Sequence, residues 1–149
     1  MVNEIRDEIK TMIEAMTTAG YNFDWTVPEQ SDKNYWGDVS AFVKTPEESF
    51  LDENNAYLYN TLNVQIYVRA KIDESSTPVN AADDKLGTAL EDLKKLFGSN
   101  SQLNSSAFHI RYAGYSIERE ESGDRFFPEK LISSWQVTYY QKRSDPDAT

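Results

Sequence analysis

Residues 58–72, LYNTLNVQIYVRAKI, alternate between two kinds of side chain without a break. Leu58, Asn60, Leu62, Val64, Ile66, Val68, Ala70 and Ile72 fall on one face, and Tyr59, Thr61, Asn63, Gln65, Tyr67, Arg69 and Lys71 fall on the other. A period of two held over that length predicts a long β-strand with one buried and one polar face, because successive side chains of an extended chain point to opposite sides. Such a strand needs a sheet beside it and an apolar layer above its buried face.

Two stretches supply that layer. Val2, Ile5, Ile9, Met12, Ile13 and Met16 recur at three- and four-residue spacing and predict an amphipathic helix ended by Thr17, Thr18 and Gly20. Ala82, Leu86, Ala89, Leu90, Leu93 and Phe97 predict a second helix, capped by Asn80, with Asp83 and Asp84 in its first turn and Gly98 just past its end. Further strands are predicted over YNFDWTV and over DVSAFVKT, the latter closed by Pro46. Phe108, Ile110 and Tyr112 are out of step with Tyr115 and Ile117, which predicts a bulge at Ala113 or Gly114. LISSWQVTYYQK predicts a final strand with Leu131, Ser133, Trp135, Val137 and Tyr139 on one side. The expected fold is α+β: a mostly antiparallel β-sheet with two helices on one face and a long β-hairpin extension. One domain spans residues 1–143, and residues 144–149 form a polar tail expected to fray.

Charge narrows the function classes. With 25 Asp and Glu against 15 Lys and Arg, the formal charge is −10. A surface of that sign repels phosphate backbones and anionic membranes, so nucleic acid passing by is expected to slide rather than bind. The absence of cysteine removes disulfides, thiol nucleophiles and thiolate metal sites. Glu4, Asp7 and Glu8 stand where a secretory signal needs positive charge, and no stretch is long and apolar enough for a membrane span. A cytosolic chain is expected.

The residues that could carry chemistry fall short of a site. His109 is the single histidine, so a two-histidine metal site within one chain is excluded, and its place in a predicted strand reads as a polar-face side chain. GYSIE, residues 114–118, shares the first three positions of a nucleophile elbow but lacks the last glycine and the following helix. Glu47, Glu48, Asp52 and Glu53 fall in one predicted loop, Asp73 and Glu74 in another, and Glu118, Glu120 and Glu121 at a hairpin tip, with no calcium-loop spacing and no general acid to bracket them. No catalytic residue, metal ligand or cofactor is expected.

Two charged segments carry apolar pairs. EREESGDRFFPEK, residues 118–130, reads as a hairpin tip turning at Ser122, Gly123 and Asp124, with Pro128 sending the following arm away from the sheet. Its Phe126 and Phe127 either fold back on the core or bury in a partner. TPEESFLDENNAYLY sets Phe50 and Leu51 among four acids, again either as anchors to the chain's own core or as an interface centre. The interface set expected from sequence is Phe50, Leu51, Arg119, Arg125, Phe126 and Phe127, with Tyr67 and Arg69 on the open sheet face. Serine at positions 126 and 127 is expected to abolish assembly and leave the monomer folded.

The helix, the LNVQIYVRAKI strand, the AADDKLGTALEDLKKLFG helix, the HIRYAGYSIERE strand and the closing SWQVTYYQKR strand together resemble the tail-terminator (tail-completion) proteins of long-tailed bacteriophages. The resemblance covers nearly the whole chain as a pattern and rests on no invariant motif. It implies a non-enzymatic virion protein that forms a ring, typically a hexamer, at the head-proximal end of the tail tube. Such a ring stops tube growth and offers a surface to the head connector, with DNA passing through ungripped. Its implied partners are further copies of itself, the tail tube protein and head–tail connector proteins. A head-completion or neck protein is a neighbouring reading, and an acidic monomeric inhibitor or immunity-like module is one of a different class.

Overall fold

The computed structural model describes residues 1–17, 20–29, 36–72, 81–100, 103, 108–120 and 126–143. Helix α1, Val2–Glu14, continues as a short 3-10 turn, Ala15–Thr17, and leads to β1, Trp25–Thr26. Strands β2, Val39–Glu53, and β3, Tyr57–Ala70, form a hairpin. Helix α2, Ala81–Ser99, follows, and β4, Phe108–Arg119, and β5, Glu129–Lys142, form a second hairpin. The sheet order is β1-β2-β3-β5-β4, with β1 parallel to β2 and all other pairs antiparallel. The fold is α+β, and both helices lie over one face of the sheet.

The alternation in β3 becomes burial. Leu62, Val64, Ile66, Val68 and Ala70 face the helices and are buried, as are Leu131, Ser133, Trp135, Val137 and Tyr139 on β5 beside them. Ile5, Ile9, Met12 and Ile13 of α1 and Leu86, Ala89, Leu90, Leu93 and Phe97 of α2 close the same core. Ser133 is tolerated there because its hydroxyl donates to the Ile66 carbonyl at 3.1 Å and accepts from Trp135 Nε1 at 2.9 Å. The expected bulge lies between Tyr112 and Gly114, where Gly114 takes φ +128°, a conformation open essentially to glycine alone.

Three expectations are corrected. Pro46 does not close β2, which runs on to Glu53, so the acids from Glu47 to Glu53 lie in a strand rather than a loop. The ladder passes Pro46 through a register shift between Lys44 and Glu47, and β1 pairs β2 only at Val39 and Ser40, so β2 is an edge strand there and tolerates the missing donor. The arm beyond Pro128 does not leave the sheet either: it is β5, paired with β3 on one side and β4 on the other. Pro128 contributes its carbonyl, accepting from Glu120 N at 2.8 Å, which needs no proline donor. The extended hairpin is therefore β2–β3. Gly98, finally, lies inside the last turn of α2, which ends at Ser99, and the backbone N and Nδ2 of the following Asn100 both donate to the Leu96 carbonyl. The Asn80 cap, the Ser122–Asp124 turn and the 144–149 tail lie outside the described residues.

Candidate assembly surface

The β2–β3 hairpin outruns the helical layer. From Pro46 to Ala56 every residue is exposed, and the N-terminus of α1 lines a shallow cleft with Glu48 and Gln141. Over the last five residues before the turn, about 17 Å of extended chain, β2 buries no side chain. Phe50 pairs with Asn60 on the helix side of the sheet, where Asn60 is buried and Phe50 stays open. Phe50 is 61 % exposed and Leu51, at the second register shift, 54 % exposed. Of the two readings open for this pair, anchoring to the chain's own core is excluded by that exposure.

The turn holds its shape through its own bonds. Asn54 Oδ1 accepts from Ala56 N and Tyr57 N, each at 2.8 Å, and Asn54 N donates to the Tyr57 carbonyl at 2.9 Å. Arg143, at the end of β5, donates to the Asn54 carbonyl at 3.2 Å and pairs with Glu53 at 2.8 Å, while its backbone N donates to the Ala56 carbonyl at 2.9 Å. Tyr140 packs edge-on against Tyr57, with ring centres 5.1 Å apart, and beside Tyr59 at 6.1 Å. An apolar tip held in this way loses little conformational entropy on docking.

The segment around residues 118–130 divides differently. Phe127 is 3 % exposed and sits edge-on to Trp36 with ring centres 5.0 Å apart. Trp36 packs in turn on Phe42, and the Arg69 guanidinium lies 4.9 Å over Trp36 and 5.0 Å over Phe42 while pairing with Glu120. Arg69 is thus committed within the chain, as a cation on two aromatic faces and a partner to a carboxylate. Phe127 folds back, as one of the two readings had it. The expectation that serine at positions 126 and 127 leaves the monomer folded is corrected accordingly. Phe127→Ala should cost about 3 kcal/mol of unfolding free energy by urea titration, through lost burial and the cavity beside Trp36.

Phe126 remains partly exposed under the Lys71 ammonium, 5.7 Å from its ring centre, and its carbonyl accepts from Ile72 N at 3.0 Å. Tyr67 lies half-buried on the open face between the Lys44 and Lys130 ammonium groups, 4.8 and 5.7 Å from its ring. Arg119 is exposed at the end of β4 opposite Glu129. Arg125 lies outside the described residues.

Sequence reasoning missed the far edge of the sheet. Tyr112 and Tyr115 flank the bulge on the helix side of β4, yet Tyr115 is 56 % exposed and Tyr112 is covered only in part, by Trp135 and by Lys94 Nζ at 4.6 Å. Their apolar phase was legible, whereas the point where the helical layer stops was not.

Among the described residues no group of His, Asp and Glu is arranged to hold a metal ion, and no helix is long and apolar enough to cross a membrane. His109 and Ser116 lie on one extended strand seven residues apart, roughly 20 Å along the chain, and cannot act on one substrate atom. An open cleft of about 420 Å³ on the polar face is lined by Glu47, Asn63, Gln65, Ser134 and Gln136, and Asn63 Nδ2 donates to Glu47 at 3.3 Å. That lining offers one carboxylate and no second acid or base, so it can bind polar groups but has no proton-transfer pair.

Among the described carboxylates, Glu129 is perturbed. A side-chain hydrogen bond with Asp83 of α2, reinforced by burial, pushes Glu129 from an ordinary 4.5 up to about 7, against the opposing pull of Arg119. The folded chain then holds a proton that the unfolded chain releases, so this contribution is complete below about 4.5 and is lost as pH rises to about 7. Glu129→Gln is expected to remove that fall from thermal melts recorded across the window. A wild-type slope unchanged in the variant would assign the pH dependence to other groups.

Compared with known proteins, the sequence matches no protein-family model and no curated protein.

Proposed function

We propose that this protein is a structural assembly subunit: the terminator of a long phage tail, acting without catalysis by closing into a ring at the head-proximal end of the tube. The observation that carries the reading is the projecting hairpin, which presents Phe50 and Leu51 to solvent on a frame bonded into shape. Apolar pairs exposed at the end of a braced arm are the composition of a docking element, because their burial in a partner removes apolar surface from water at small entropic cost. A ring of identical subunits needs one patch to meet a different patch on its neighbour, and the two edges of this sheet differ in chemistry. The resemblance in element order supplies the place in the virion and the partners: the tail tube on one side and the head connector on the other. The chain's acidity suits passage of DNA through the ring without capture.

The test is the mass of the purified protein across a concentration series by sedimentation, followed by addition of purified tail tubes. A closed ring, or a monomer that joins tube ends alone, is expected. A strict monomer indifferent to tubes would overturn the terminator reading.

A further inference from the structure

The two long edges of the sheet carry opposite charge. On β2 the exposed run Pro46–Glu53 holds Glu47, Glu48, Asp52 and Glu53 and no base. Arg143 reaches back to Glu53, and Lys142 lies two strands in, opposite Tyr57 on β3, so the outer side of the hairpin remains acidic. On β4 the edge carries Arg111 and Arg119 against Glu118, and Glu118 already has Lys130 at 3.9 Å. Lys94 of α2 stands over Tyr112 on the same edge, with Glu91 one turn behind it on the helix. Each edge also carries exposed apolar or aromatic surface: Phe50 and Leu51 on the acidic one, Tyr112 and Tyr115 on the basic one.

We propose that the occupant of the β4 edge is the hairpin tip of a second copy of this chain, with Phe50 and Leu51 seated against Tyr112 and Tyr115, and the tip carboxylates facing Lys94 and Arg111. This deepens the ring reading and rests on it. The contact is heterologous: each protomer offers one tip and one receiving edge, so contacts propagate from copy to copy until they close. A lysine ammonium beside tyrosine rings suits a tip of this kind, since a carboxylate and an apolar side chain are satisfied side by side. The Gly114 bulge breaks the edge ladder at the centre of the patch. A bulged edge resists open-ended strand pairing, so recognition falls to side chains.

Two charge-reversed chains test it, one carrying Glu47→Lys and Asp52→Lys, the other Lys94→Glu and Arg111→Glu. All four positions are exposed, and near-UV circular dichroism checks that both variants are folded. Each alone is expected to need at least about tenfold more protein for half-assembly than the wild type, while an equimolar mixture regains assembly through alternating subunits. Wild-type assembly should also weaken with added salt. Folded variants that assemble like the wild type would place the subunit contact elsewhere and leave the ring reading standing. A mixture that does not recover, with only the tip variant losing its hold on purified tail tubes, would make the tube the occupant of the tip and overturn the proposal. A wild type monomeric both alone and with tubes would overturn the ring reading itself.

Discussion

Asp92→Ala is expected to lower the unfolding free energy by about 3–5 kcal/mol, the largest single loss outside the apolar core, as read from urea titration followed by tryptophan fluorescence. Asp92 is 2 % exposed on α2, and its carboxylate gathers the segment that leads from α1 into β1. It accepts from Asn22 N at 3.0 and 3.1 Å, from Asn22 Nδ2 at 2.8 Å and from Trp25 Nε1 at 3.0 Å. Alanine would strand those donors, and the Trp25 indole, itself buried, has no water to turn to. Lys95, three residues further along α2, holds the Gly20 carbonyl and partly keeps the segment in place. Asp92→Asn retains an acceptor oxygen and should recover much of the loss. A cost below about 1 kcal/mol for alanine would mean that the segment relaxes and finds other partners.

Phe50→Ser with Leu51→Ser should act in the opposite sense, leaving unfolding within about 0.5 kcal/mol of the wild type while removing concentration-dependent assembly and attachment to tube ends. Both side chains project from the described surface and stabilise little within their own chain. In a docked tip they would be the apolar centre, where truncation commonly costs more than 2 kcal/mol per residue and two losses together take an interface out of the working range. Unchanged assembly by sedimentation would show that the hairpin is not the docking element. A large loss of stability would instead reveal an internal role that their exposure does not predict. Serine at 127 provides the contrast, since it strikes the Trp36 cluster and should unfold before it dissociates.

How far the sequence could be read differs by element. The strict alternation of residues 58–72 returned as β3 within one or two residues at each end, and the broken phase at Tyr112–Tyr115 returned as a bulge. Both signals are local, since they depend only on which side of the backbone successive side chains leave. Pro46 and Pro128 misled for the same reason. A proline's effect on a ladder depends on whether a neighbour asks for its missing donor, and that neighbour is distant in sequence.

The candidate surface shows the same division. That Phe50 and Leu51 sit among acids was plain, as was the pairing of Phe126 with Phe127. Which of these aromatic pairs meets solvent could not be, because exposure is set by where covering elements stop. Trp36, ninety-one residues before Phe127, closes over that ring, whereas Phe50 and Leu51 stay open. Asp92 carried no signal among the many acids, since its partners lie some seventy residues away.

By itself, then, the chain's pattern determined the two helices, the face that β3 and β5 bury, the bulge in β4 and the sign of the charge, all properties of side-chain order along an extended or helical backbone. Only the tertiary structure decided that β5 enters between β3 and β4, that the β2–β3 hairpin outruns its helices, and that acidic and basic edges end on opposite sides of one sheet. Those outcomes depend on contacts between residues far apart in sequence, for which short-range periodicity holds no information.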